Sequence, residues 1–312
     1  MKNPDPAVEE LEHEWLQHES HHLIRLGDEA YPELLAQIPN PPPYLTINGD
    51  PELLHLPALA IVGSRNPTTT GSRNAFEFAR HLGGTGFCIV SGLAQGIDAA
   101  AHRGALAADA PTIAFLGHGI DRVYPAANRE LAHEIAASGA LVSEFPLGMQ
   151  PHKSLFPQRN RLISGISFGT LVVEAARRSG SLITARLAAE QGREVFALPG
   201  SIHNPLSRGC HKLIQQGAKL VETADDIVAE LAPLAGHVLQ KAVESMASGN
   251  PPIAVDHEYK ELLDYLGHDA MSADDLVAQS GLTIDQVSSM LLILELDGKI
   301  EKLSGGRYSL LS

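Results

Sequence analysis

Along the middle of the chain, short continuous apolar runs alternate with stretches of helical period. The runs are Leu59–Gly63, Phe87–Ser91, Thr112–Leu116, Ala140–Ser143, Leu171–Glu174, Glu194–Leu198 and Lys219–Val221. None alternates apolar with polar, as strands buried on both faces of a parallel sheet require. Helical spacing fills the gaps at Ser72–Leu82, Ile97–Ala107, Asn128–Ser138 and Leu182–Gln191. Repeated βα units of this kind predict a doubly wound, mostly parallel α/β sheet domain over residues 58–232. Residues 1–57 read as an acidic N-terminal segment, not a domain, weakly helical from Pro4 to Arg25 and irregular around Tyr31-Pro32 and Asn40-Pro41-Pro42-Pro43. Ala232-Pro233 marks a break, and residues 233–254 read as a linker that includes Ala247-Ser248-Gly249-Asn250-Pro251-Pro252. Residues 255–312 give three amphipathic helices, Tyr259–Leu266, Ala273–Gln279 and Ile284–Leu296, then a hairpin of Lys299–Leu303 and Arg307–Leu311. That order predicts a small winged-helix domain, with Ser280-Gly281-Leu282-Thr283 as the turn between two of its helices.

Composition narrows the class. The chain of 312 residues is 44% hydrophobic and 19% charged, and no apolar run approaches the roughly 18 residues of a membrane span. Met1 to Glu14 is acidic and lacks the basic start and apolar stretch of a secretory signal, so cytoplasmic residence is expected. Two cysteines, Cys88 and Cys210, are too few for a disulfide framework or a thiolate metal site and are expected to be structural thiols. His13, His18, His21 and His22 lack the spacing of a zinc site and are expected to be solvated. No metal or cofactor is expected.

The net charge of −14 argues at first against a nucleic-acid partner. Its distribution changes that. Residues 1–57 hold 2 Lys/Arg against 11 Asp/Glu, residues 58–232 hold 16 against 14, and residues 233–312 hold 5 against 12. Acidity sits in the flanks, which leaves the middle segment free to carry a basic cleft.

In an open α/β sheet, ligands bind where strand carboxyl ends feed helix N-termini. Two such loops are rich in glycine and hydroxyls, Gly63-Ser64-Arg65-Asn66-Pro67-Thr68-Thr69-Thr70-Gly71 and Ser91-Gly92-Leu93-Ala94-Gln95-Gly96-Ile97-Asp98. Neither is a dinucleotide fingerprint or a P-loop, and each fits a structural turn as well as an anion cradle. The strongest cluster is Pro151-His152-Lys153-Ser154-Leu155-Phe156-Pro157-Gln158-Arg159-Asn160-Arg161, where three cations interleave with one ring. Single-stranded nucleic acid needs that mixture, charge for its backbone and a flat face for its unstacked bases. The plainer alternative is a solvated basic turn with Phe156 in the core. Glu174, Ser179, Ser181 and Thr184 could hold a ribose or a phosphate, and helix capping accounts for them equally well. Asp98 and His102, at i, i+4 spacing, could form an acid–base pair, although a surface pair or cap is the better expectation. The segment Ile284–Leu296 carries no cation, which favours protein contact or packing over DNA reading.

Taken together these blocks resemble the DNA-processing protein A family (DprA/Smf). The resemblance rests on Ala60-Ile61-Val62-Gly63-Ser64-Arg65, Val90–Asp98, Tyr124-Pro125 with Asn128, Phe156-Pro157-Gln158-Arg159-Asn160-Arg161, Val173-Glu174-Ala175 with Ser179–Ala185, and Pro199-Gly200, in the family's order. It covers about residues 26–232, and residues 255–312 are similar to the winged helix that many members append. It implies an extended Rossmann-like fold that binds single-stranded DNA, forms a homodimer and loads the recombinase RecA during natural transformation, without catalysis. By motif position it implies Arg65 and Lys153 as the main DNA-contacting cations, with Gly63, Ser64, Phe156, Arg159 and Asn160 beside them. The segment from Gly209 to Leu220 resembles the pairing edge, with His211, Ile214 and Leu220 as interface residues. Cys210-His211 departs there from the family's usual Thr-Asn or Pro-Asn. The alternative is a nucleotide phosphoribohydrolase-like enzyme on the same fold, whose Pro-Gly-Gly-x-Gly-Thr loop has no counterpart at Arg178–Thr184.

Overall fold

The structure, a computed structural model, describes residues 13–231, 271–272, 275–277, 287, 291, 300–303 and 307–310. The chain divides into two compact units, Met1–Ala247 and Ser248–Ser312. In the first, nine strands form one sheet: β1 His21–Arg25, β2 Tyr44–Gly49, β3 Ala58–Gly63, β4 Cys88–Ser91, β5 Thr112–Phe115, β6 Ala140–Ser143, β7 Gly169–Val173, β8 Glu194–Ala197 and β9 Lys219–Leu220. Their order is β1-β2-β6-β5-β4-β3-β7-β8-β9, and every pairing from β6 to β9 is parallel. The seven expected runs are the seven parallel strands, with ends within two residues.

The inner runs, β3 to β7, are mostly apolar because both faces are covered. Ala58, Ala60 and Val62 of β3 face one core cluster while Leu59 and Ile61 face another. Cys88 and Val90 of β4 divide from Ile89 in the same way. Both cysteines are buried and unpaired, and burial pushes both thiols up, Cys210 to about 11. The covering helices are α1 Glu33–Ala36, α2 Thr69–Gly84, α3 Ile97–Ala107, α4 Arg129–Ser138, α5 Leu155–Ile166, α6 Ser181–Glu190 and α7 Arg208–Gln215, and residues 224–231 are also helical.

The N-terminal segment departs from the expectation. His21–Arg25 is a strand, not the end of a helix, and it pairs antiparallel with β2, which pairs antiparallel with β6. Thr46, Ile47, Asn48 and Gly49 register against Ser143, Val142, Leu141 and Ala140, so this segment extends the sheet and its Leu45 and Ile47 join the core. The histidines there are not simply solvated. The His21 ring stacks on Trp15 at 3.9 Å, its Nδ1 lies 2.8 Å from the Trp15 carbonyl oxygen, and partial burial lowers its pKa.

In the second unit, β11 Ile300–Leu303 pairs antiparallel with β12 Arg307–Leu310, as the expected hairpin requires. A short β10, Met271–Ser272, adds a third strand beside β12. Leu276, Val287 and Leu291 are buried. The expected helix Tyr259–Leu266 and the linker lie outside the described residues.

Candidate functional site

Topology creates the site. Strands β3, β4 and β5 end side by side, and the loops after them meet the start of α5. The loop after β3 is shaped by its first two residues: a Cβ on Gly63 would meet the Val173 carbonyl and the Ile97 side chain, and Ser64 Oγ accepts from Asn66 N–H at 3.1 Å. The Ser64 carbonyl accepts from Ile97 N–H at 3.1 Å, which ties the loop to α3. Gly96, at φ 82°, lies so close to the Ser64 and Arg65 carbonyls that any side chain would displace them, and its left-handed backbone suits glycine. Gly63 and Ser64 therefore hold the loop, and Arg65 projects from it.

Arg65 is exposed, and its guanidinium carbon lies 5.5 Å from the centre of the Phe156 ring. Tyr124 stacks on the same ring at 5.8 Å and is 45% exposed. These three residues, with Gly92, Gln95, Pro125 and Arg159, line a recess of about 60 Å3. In the sequence Tyr124 stands out only as part of the Tyr124-Pro125 motif. An aromatic residue before a proline carries no periodic signal, and only the fold brings it to Phe156. Lys153 stands outside the recess, in the turn that leads into α5, exposed and without an ion-pair partner among the described residues. Asn160 is half-buried and does not line the recess.

The basic cluster is not a uniformly solvated turn. Residues from Leu155 onward form α5, with Leu162, Ile163 and Ile166 in the core. Arg159 is 4% exposed, and its Nη1 donates to the Gly92 carbonyl at 2.8 Å and to that of Phe115. Burial lowers its pKa to about 10, against the raising effect of nearby Asp98. Arg161 is engaged with Glu144, whose carboxyl is pushed up by burial and held back by that guanidinium. Of the cluster's three cations, Lys153 alone is exposed.

Asp98 and His102 are both buried, not on the surface, and do not bond to each other. The Asp98 carboxylate accepts from the N–H groups of Gly92 (3.1 Å) and Ala94 (3.3 Å), organising the second loop, and burial raises its pKa while Arg159 and these donors lower it. His102 Nδ1 lies 2.7 Å from Thr112 Oγ1, and burial drives its pKa down to about 3. That imidazole stays neutral at physiological pH.

Other candidates lie elsewhere. Glu174, at φ 54°, reaches across to α2: Thr68 donates to it through its N–H (2.8 Å) and its hydroxyl (2.6 Å), while Thr68 Oγ1 caps Gly71 N–H at 3.0 Å. Ser179 and Ser181 hydroxyls meet at 2.7 Å at the start of α6, where no side chain caps the helix, and Thr184 is buried in that helix. Of the expected pairing residues, His211 Nε2 lies 3.0 Å from the Gly200 carbonyl oxygen, Ile214 is half-buried, and Leu220 is 49% exposed on β9, the edge strand.

Among the described residues no group of histidines, cysteines or carboxylates gathers as a metal site, and no helix is long and apolar enough to cross a membrane. The fold and recess define an extended Rossmann-like α/β protein whose strand ends present one exposed guanidinium between loops and two stacked rings. The chain belongs to the DNA recombination-mediator protein A family, whose model it matches over residues 22–232, and it matches the DprA winged helix domain over residues 246–306. It is 44% identical to protein Smf of Escherichia coli over 293 residues, 94% of this chain and 78% of that one. It is 47% identical over 203 residues to DNA processing protein DprA of Streptococcus pneumoniae, 65% of this chain and 72% of that one. The solved S. pneumoniae DprA structure superposes with TM-score 0.68 at 44% identity, covering 73% of this chain and 78% of that one. The Helicobacter pylori DNA processing protein A structure, described for its single-stranded DNA binding mode, gives TM-score 0.63 at 31% identity, covering 69% and 97%.

Proposed function

We propose that the recess at Arg65, Phe156 and Tyr124 binds single-stranded DNA, and that the protein, as a cytoplasmic homodimer, hands that strand to the recombinase RecA during natural transformation and homologous recombination. One observation carries the reading. An exposed guanidinium lies over a phenyl ring that also stacks on an exposed tyrosine, so charge for a phosphate and a flat face for a base are offered within one short span. A duplex hides its base faces and gains nothing from the rings. The H. pylori relative's described mode of binding supports the same ligand class.

Lys153 extends the charged edge, Gly63 and Ser64 hold Arg65 in place, Arg159 supports the recess from beneath, and Asn160 follows on the same helix. Pairing through β9 at Leu220, with Ile214 and His211 beside it, would cover a sheet edge that is otherwise bare. In this reading residues 58–232 form the DNA-binding domain with residues 1–57 leading into it, residues 233–254 link, and residues 255–312 act in protein contact, because their excess of carboxylates repels a duplex. The protein works by binding, without catalysis or cofactor. The test is a gel shift of the full chain with matched single-stranded and duplex oligonucleotides at one fixed salt concentration. Preference for the single strand is expected, and equal binding of both overturns the reading.

A further inference from the structure

We infer that a second cavity, between the ends of β3, β7 and β8, is a small-ligand site that takes a ribonucleoside with its sugar diol on Glu174. This goes beyond the DNA reading, and the two recesses have no lining residue in common. Strands β4, β5 and β6 follow one another on one side of β3, whereas β7, β8 and β9 follow on the other. Strand order therefore reverses between β3 and β7, and the loops leaving them part. In open α/β sheets that parting forms the crevice where small ligands sit. Here it encloses about 320 Å3. Small-molecule sites run from roughly 300 to 1,000 Å3, so this one has room for one such molecule.

The lining selects the chemistry. Thr70, Asn74, Ser201, Asn204 and Ser207 surround Glu174, and no lysine or arginine takes part. A phosphate group would meet a carboxylate and no counter-charge, so the cavity suits a neutral ligand rich in hydroxyls. Each Glu174 oxygen accepts one hydrogen bond from Thr68 and keeps a second acceptor position. Two adjacent acceptors match the two adjacent hydroxyls of a ribose, the group that an acidic side chain recognises in sheets of this kind. The carboxylate is also held in place. Glu174 adopts a left-handed backbone conformation, unusual for a side chain of its size, and a Cβ on Gly71 would collide with its carboxyl group. A cap for α2 needs neither the adjoining hollow nor its ring of hydroxyls and amides.

The experiment is calorimetric titration of the full chain with adenosine, guanosine, cytidine and uridine and with their 2′-deoxy counterparts. Oligonucleotide affinity is measured in parallel. At least one ribonucleoside is expected to bind, and its 2′-deoxy form to bind about tenfold more weakly, the loss of one charge-assisted hydrogen bond. Glu174→Gln should weaken the ribonucleoside by about tenfold as well. Ser201→Trp, at an exposed position whose ring would fill the hollow, should abolish nucleoside binding while oligonucleotide affinity stays within twofold. Should Glu174→Gln lower the melting temperature by disturbing α2, the Ser201 variant decides alone. Absence of binding by all four ribonucleosides at millimolar concentration, equal binding of ribo and deoxy forms, or parental binding by Ser201→Trp each overturns the assignment. Loss of oligonucleotide preference with nucleoside binding intact would strike the DNA reading alone.

Discussion

The floor and the rim of the recess at Arg65, Phe156 and Tyr124 are both made of charged and aromatic residues, but burial separates what they do. Beneath, Arg159 and Asp98 are buried and joined to backbone groups of the loops around them, and His102 is buried against the Thr112 hydroxyl. Above, Arg65 and Tyr124 are exposed, as is Lys153 in the turn just outside the recess, and neither cation has an ion-pair partner among the described residues. A buried cation must spend its donors on the protein, whereas an exposed one keeps them for a ligand. Floor substitutions should therefore cost stability and rim substitutions should cost affinity.

The largest effect is expected at the floor. Arg159→Met removes two carbonyl contacts and leaves the buried Asp98 carboxylate without its neighbouring positive charge, at about 3–5 kcal/mol of unfolding free energy in urea titration. Retention of parental stability would show that the guanidinium is dispensable to the fold and would erase the distinction between floor and rim.

His102 sharpens the comparison through pH. Burial holds its folded pKa at about 3, below the ordinary 6.5 of a solvated histidine, so the unfolded chain binds more protons as pH falls. Its contribution is complete above pH 6.5 and is lost as pH falls toward 3, at about 1.4 kcal/mol per pH unit. Between pH 7 and pH 5 the parent should lose about 2 kcal/mol more than His102→Asn, read from urea unfolding at the two pH values. Identical losses in both proteins would mean that His102 is not held neutral.

Tyr124 should behave oppositely. Tyr124→Ala is expected to weaken single-strand binding by about 1 kcal/mol, the lower end of base–aromatic stacking, with the melting temperature unchanged. A drop in melting temperature without a change in affinity would move the ring from rim to floor. The smallest effect is assigned to Arg25→Ala, an exposed cation on β1, where affinity and stability should both stay within about 0.5 kcal/mol of the parent.

The sequence discloses the parallel sheet well and the floor poorly, for physical reasons. A strand buried on both faces must be apolar at nearly every position, which made β3 to β7 legible. Strand β1, with His21, His22 and Arg25 among its five residues and prolines beyond it, has neither that run nor strict alternation. Its pairing with β2 depends on partners 19 to 27 residues further along the chain. Helix α5 was hidden by its own first turn. Pro157 is tolerated there because the first N–H groups of a helix have no partner within it, yet in sequence it reads as punctuation. The burial of Arg159 and Arg161 left no mark at all, since a cation looks the same in sequence whether it faces water or a carbonyl. Family resemblance pointed to Arg65 and Phe156, while Tyr124 needed the fold.

The central claim, that exposed cations beside the stacked rings hold a single strand, is tested most directly by Arg65→Ala and Lys153→Ala, singly and together. Single-strand affinity is measured at one fixed salt concentration, with Arg25→Ala as control. Each single change should cost about 1.5–3 kcal/mol, roughly tenfold or more in dissociation constant, with melting temperature unchanged. Parental affinity in the double variant, or a greater loss in Arg25→Ala, would contradict the account.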